Sequence, residues 1–216
     1  MKHKYKLVGA VLLTAIIGAG IGASAAYITD NEEKTNNFSF QNVSLSIRED
    51  VWKSLSGEEK IISPGKTVAK DPVVENTGSA DMYVFLEVRV PKRNVRTVTD
   101  DGKSIINSAE TPLFKFSSNE SWKLTEYDNQ NSDYEKFVYG YDCILKSGAK
   151  TVPLFESVDC VNFLEGELDM GEKTEIVLRT FGIQSDFVLN GQNAADVFDV
   201  YEVYREELCE AVDTEG

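Results

Sequence analysis

The segment Met82–Val90, MYVFLEVRV, is apolar at every second residue on one side and grades from aromatic to charged on the other. Successive side chains of a strand point to opposite faces, so Met82, Val84, Leu86, Val88 and Val90 share one face. Tyr83, Phe85, Glu87 and Arg89 share the opposite one. A helical period scatters both sets around the axis, so the pattern selects a strand. One fully apolar face and one half-apolar face describe a half-buried strand of an antiparallel sheet.

Further strands are predicted on the same grounds. Phe38, Phe40, Val43, Leu45 and Ile47 fall near period two, with an irregularity at Gln41–Asn42. Thr67–Asn76 is a strand in which Pro72 requires an edge position or a bulge, since proline has no N–H to give to a ladder. Ser121–Tyr127, Glu135–Leu145 and Lys173–Gln184 complete the set, with a mixed apolar and acidic stretch at Val152–Phe163. Pro64–Gly65 and Asn76–Ser79 are turns, Val98–Thr111 is a long loop, and Lys146–Ala149 closes a hairpin. Val197, Tyr201, Tyr204 and Leu208 recur at helical spacing behind Asn193, which predicts a helix over Ala194–Cys209 with Asn193 as its cap. Many short strands and one terminal helix predict an all-β protein, an antiparallel jelly-roll or Ig-like β-sandwich with long loops and a short C-terminal helix.

The amino terminus has the layout of an export signal. Lys2, Lys4 and Lys6 precede the charge-free run Leu7–Ala23, and Ala23-Ser24-Ala25 offers the small-residue pattern at which a signal peptidase cuts, after Ala25 or Ala26. The expected organisation is a signal peptide at 1–25, a mobile leader at 26–37 and a sandwich domain at 38–216. The competing reading is a retained membrane anchor, because the apolar run through Ile28 approaches the length that spans a bilayer. With the signal removed the chain holds 19 Lys and Arg against 36 Asp and Glu, a net charge of −17. That surface repels phosphates, so nucleic acid and anionic membranes are excluded as expected partners. Cys143, Cys160 and Cys209 allow one bridge at most; three separate thiols is the expectation, with Cys143–Cys160 as the alternative pair.

Ala25-Ala26-Tyr27-Ile28-Thr29-Asp30-Asn31-Glu32, followed by Asn36-Asn37-Phe38 and the strand Val43–Glu49, resembles the export region of the TasA/camelysin family. That family usually has Phe where this chain has Ile28. The likeness continues through Pro64-Gly65, Val73–Gly78 and Tyr83-Val84, through Tyr139–Asp142, Pro153-Leu154-Phe155 and Ser157-Val158, and through Thr180–Asp186. The resemblance implies a secreted jelly-roll protein of a Gram-positive bacterium that polymerises into biofilm-matrix fibres at the cell surface. It also implies processing by a dedicated ER-type signal peptidase. Its partners would be copies of itself, joined head to tail, and related matrix or assembly proteins, with no membrane contact after cleavage. Tyr27, Ile28, Thr29 and Asp30 then lead a segment that adds to the next subunit. A non-polymerising secreted adaptor or adhesin module is the alternative.

The same resemblance raises a surface zinc metallopeptidase, and the residues speak against it. The one histidine, His3, lies in the signal segment, so the mature chain has no imidazole for zinc, for a Ser-His-Asp triad or for a Cys-His pair. No catalytic residue, cofactor site or metal site is expected, and the chain is not expected to be an enzyme. Asp128–Glu135 presents oxygens at alternate positions but lacks the glycine and the distant glutamate of a calcium-binding EF-hand loop, and reads as a solvated turn.

Overall fold

The computed structural model describes residues 16–17, 43–60, 63–99, 101–164, 166–168, 174–186 and 196–213, with the side chains of the last helix described to residue 205. In chain order the elements are β1 (Ile16–Ile17), β2 (Leu45–Arg48), α1 (Asp50–Ser54), β3 (Thr67–Ala69), β4 (Val73–Asn76), β5 (Met82–Val95) and β6 (Ala109–Pro112). Then follow β7 (Phe114–Lys115), β8 (Trp122–Asp128), β9 (Tyr134–Tyr141), β10 (Ser157–Cys160), β11 (Val177–Gln184) and α2 (Val197–Asp213). Among the described residues the protein is all-β apart from the short α1, the helical residues 185–186 and the C-terminal α2, and its strand pairs are antiparallel.

The alternating strand occupies the middle of the main sheet, whose order is β1-β11-β5-β9-β8. Eight residues of β11 pair with β5, from Val177 opposite Arg89 to Gln184 opposite Met82. On its other side β5 pairs with β9, from Phe85 opposite Gly140 to Pro91 opposite Tyr134. The distal end of β5 runs on through Pro91 to Val95 and is matched by β6.

The second layer comprises β2-β4 and β3-β10-β7. Hydrogen bonds outside the named strands join the two parts: Asn76 N donates to Ala149 O, Thr151 N to Val74 O, Leu154 N to Pro72 O and Lys70 N to Glu156 O. The 66–76 stretch therefore runs antiparallel to 149–160 across the gap at Lys70–Pro72. That gap is where Pro72 was expected to disturb the strand, and Asp71 has a use for it. Its two carboxylate oxygens accept from Val51 N and Trp52 N at 2.9 and 3.0 Å, capping α1 from outside the helix. Lys70 pairs with Glu49 at 2.5 Å and lies 4.9 Å over the Trp52 ring.

The two faces of β5 separate as the alternation requires. Met82, Val84, Leu86, Val88 and Val90 are buried against Leu45, Val74, Leu154, Phe155 and Val158 of the second layer. Phe116 joins this core, 4.6 Å from Phe155 and 5.6 Å from Phe137 between ring centroids. Each such side chain contributes roughly 1.5–3 kcal/mol by leaving water. The opposite face forms a second apolar cluster, in which Tyr83, Phe85, Val138, Phe181 and Ile183 are covered by Val197, Val200, Tyr201 and Tyr204 of α2. Phe181 stacks on Tyr204 at 4.4 Å and on Phe85 at 5.2 Å.

Several sequence expectations change. The helix begins at Val197, and its cap is Asp196, whose Oδ1 accepts from Phe198 N at 2.8 Å; Asn193 lies outside the described residues. Lys146–Ala149 does not close a hairpin. Leu145 still bridges Met82 of the main sheet, whereas Lys150 bridges Glu75 of the second layer, so the turn carries the chain between layers. Asp81 holds that corner, accepting from Lys146 Nζ at 2.7 Å and Ser147 N at 3.0 Å. These bonds pull its carboxyl below the usual range. Within Val98–Thr111, expected as loop, Val98 bridges Ile105, and β6 starts at Ala109.

Candidate functional site: the open edges of the sandwich

Every terminal strand of a sheet has backbone N–H and C=O groups facing outward, and whether another chain can use them depends on regularity and side-chain charge. The main sheet ends in β8 on one side. There the register slips between Leu124 and Glu126, leaving Thr125 as a bulge whose hydroxyl donates to Val138 O at 3.0 Å. Lys123 stands just before the bulge and reaches Asp142 at 3.4 Å. A bulge and a charged residue are both devices that blunt an edge. Leu124 and Tyr127 are nonetheless 44% and 48% exposed, and Tyr127 packs 5.0 Å from Phe137.

On the other side β11 is paired without interruption to β5 over its whole length. Among the described residues its outer side meets only β1, at Ile16 opposite Thr180 and Ile17 opposite Arg179. The inner side of the same corner is tight. A methyl group on Gly182 would lie 2.9 Å from Tyr83 O and 3.1 Å from Leu45 Cδ1, so β2 of the second layer sits close beside β11. The corner thus offers a straight edge of eight residues, firmly backed by β5 and by Leu45.

The charged groups of the outer face are mostly matched. Glu87 accepts from Arg89 Nε at 2.7 Å and lies 3.8 Å from Arg179 Nη1, while the Arg89 guanidinium is 4.7 Å over Tyr134. Glu126 pairs with Lys136 and accepts the Tyr201 hydroxyl, which ties α2 to β8. Burial works to raise the Glu126 carboxyl, but the bonds from Lys136 and Tyr201 outweigh it and hold it below the usual range. Tyr204 is pushed up to about 12 by burial and then by the charges of Glu87 and Glu126.

Ala23, Ala25 and Ala26 of the expected cleavage site, and Tyr27, Ile28, Thr29 and Asp30 of the expected leader, lie outside the described residues. The structure therefore brings none of them to a site. Cys143 is exposed and Cys160 buried, both as free thiols, so the alternative Cys143–Cys160 bridge is not formed; the Cys209 side chain lies outside the described residues. Among the described residues, no three His, Cys, Asp or Glu side chains are grouped to hold a metal ion, and no helix is long and apolar enough to cross a membrane. Sequence reasoning missed the β11 edge, because alternation identifies a strand and says nothing of which neighbour it lacks. No family model matches the chain, and neither a curated protein nor a solved structure gives a significant match.

Proposed function

We propose that this chain is a secreted structural subunit of cell-surface or biofilm-matrix fibres, joined to its neighbours by strand addition. The observation that carries the reading is the β11 edge, eight residues in unbroken register with β5 and partnered on its outer side at only two positions among the described residues. An extended segment from another subunit gains backbone hydrogen bonds at such an edge, and alternate side chains supply selectivity. The acidic mature surface keeps free subunits apart until a specific contact forms. The resemblance of residues 25–49 to the TasA/camelysin export region supports the same reading and supplies the donor, the leader that begins at Tyr27. A head-to-tail contact of this kind does not close on itself and propagates as a filament.

The test is deletion of residues 26–35 from the mature form, followed by negative-stain microscopy and circular dichroism. The expected result is loss of filaments with an unchanged spectrum and thermal midpoint. Normal filaments from the truncated protein would refute the leader as donor. A full mature form that stays monomeric under all conditions would favour the adaptor reading.

A further inference from the structure

We infer that a cleft on the outer face of the second layer is a binding site for a neutral saccharide, recognised by side chains alone. Neither its contacts nor its test depend on the fibre reading.

Strand register sets the floor of the cleft. Asp159 of β10 lies opposite Thr67 of β3 on one side and Lys115 of β7 on the other, so the three side chains stand in one row on one face. That face points outward, because the neighbouring Val68, Phe114, Val158 and Cys160 are buried in the core. The Thr67 hydroxyl donates to Asp159 Oδ1 at 2.5 Å, which fixes the carboxylate in place. An ionised carboxylate still has room for further donors. Thr97, Ile106, Pro112 and Asn162 line the same cleft, whose volume of about 810 Å³ lies in the range of small-molecule sites. Its walls are tied to each other through the backbone. Gly65 N donates to Cys160 O at 3.1 Å, Val98 N to Asn162 O at 2.8 Å and Ile106 N to Thr97 O at 2.8 Å.

Because those backbone groups already serve one another, they are not open to an extended peptide, and recognition falls to the side chains. Asp159 as a carboxylate only accepts, Lys115 only donates, and the Thr97 hydroxyl and Asn162 amide do both. No salt bridge joins Lys115 to Asp159 among the described residues, so both charges are available to a ligand. An anion meets Asp159 and a whole-chain charge of −14, and a cation meets Lys115. A wholly apolar ligand strips water from both charges and replaces none of it. A pyranose meets each requirement. Its hydroxyls donate to Asp159 and accept from Lys115 and Asn162, while its C–H face covers Pro112 and Ile106, which is otherwise 51% exposed.

The experiment titrates the full-length chain, in a mild detergent without a sugar headgroup, and follows its backbone amide shifts by NMR. The probes are methyl glucoside, methyl galactoside and N-acetylglucosamine, with sodium acetate and glycine as charged comparisons. The expected result is saturable shifts around Thr97, Lys115 and Asp159 with at least one sugar, at an affinity on the order of millimolar. Asp159→Ala and Lys115→Ala each remove a charged hydrogen-bonding group and are expected to weaken that binding about ten-fold or more. Both side chains are exposed, so the thermal midpoint is expected to stay where it is. Absence of saturable shifts with all three sugars up to about 50 mM overturns the site. Sugar binding that survives both substitutions overturns its placement on the Thr67–Asp159–Lys115 row. Acetate or glycine shifting the same residues at equal or lower concentration overturns the saccharide class and leaves a site for a small charged ligand.

Discussion

Gly140 lies in β9 where α2 presses on the outer face of the main sheet, and replacing it by alanine puts that contact to a quantitative test. A Cβ at this position falls inside contact distance of Val197 Cγ2 and 2.9 Å from Phe85 Cε1. Phe85 is fully buried and stacked on Phe181, so its ring has nowhere to retreat. Overpacking of this kind costs about 1–3 kcal/mol, and the lower entropy of alanine in the unfolded chain returns up to about 1 kcal/mol. The Val197 approach is closer than real Cβ contacts, which puts the cost in the upper part of that range, about 2–3 kcal/mol, so the expected net loss for Gly140→Ala is about 1–3 kcal/mol, or roughly 2–12 °C in thermal midpoint for a domain of this size. Val197→Ala alone removes two buried methyl groups and costs about 1.5–2 kcal/mol. Made together, the two changes relieve the Val197 clash, so the double variant is less destabilised than the sum by about 1 kcal/mol or more. Urea unfolding of the four proteins, followed by circular dichroism, measures the cycle. A neutral Gly140→Ala, or additivity within about 0.5 kcal/mol, would refute the packing of α2 on β9.

The other expectations concern protons and thiols. Glu126 is a carboxylate held below its ordinary value of 4.5, so it contributes stability above that pH and loses it as pH falls through the folded value. Glu126→Gln is expected to lessen the acid dependence of the unfolding midpoint below pH 4.5, and an unchanged slope counts against the Lys136–Glu126–Tyr201 link. Tyr204 is raised from 10.0 to about 12, so its contribution is complete below pH 10 and is lost as pH climbs through about 12. Burial, and then the hydrogen bond to Glu126, raise Tyr201 as well, so phenolate absorbance is expected to show one tyrosine fewer titrating near pH 10 in Tyr201→Phe or Tyr204→Phe only after unfolding; loss of a normal titrating group from the native protein would refute the buried assignment. Cys160 is buried, and burial raises its thiol against the weaker pull of Gly65 N–H, whereas Cys143 is exposed. Alkylation at pH 8, read by peptide mass, is expected to label Cys143 well before Cys160, and equal rates would contradict the packing of β10.

The sequence carried some of this fold plainly and the rest only in hindsight. Alternation along Met82–Val90 placed the side chains of that part of β5 on their correct faces, because successive residues of a strand point to opposite sides. The spacing of Val197, Tyr201 and Tyr204 likewise identified the face of α2 that meets the sheet. What the spacing did not convey was that these two patterns are halves of one contact. Tyr83 and Phe85 read as the damp face of a half-buried strand, yet they are 3% and 0% exposed, because a helix more than a hundred residues away covers them. The turn at Lys146–Ala149 shows the same limit. Glycine at φ 74° in Gly148 is legible as a tight turn, but a turn residue reports local dihedral angles and not whether the chain returns to its own sheet or crosses to the other.

The candidate edge was hidden for a related reason. A strand's outer side is defined by the absence of a neighbour, and absence has no residue signature. Arg179 and Thr180 look like ordinary positions in KTEIVLRTFGIQ, and only the order β1-β11-β5-β9-β8 shows how little of β11 is paired on its outer side among the described residues. The bulge of β8 is legible in the same way, since its irregularity appears only in the register between Leu124 and Glu126. Seen together, the two ends of the main sheet are not equivalent. One is bulged at Thr125 and carries Lys123, which discourages addition; the other is in unbroken register with β5, lies against Leu45 and is met, among the described residues, by Ile16 and Ile17. On the fibre reading proposed above, a main sheet with one regular outer edge among the described residues accepts a single neighbour, and that restriction favours a linear filament over a disordered aggregate.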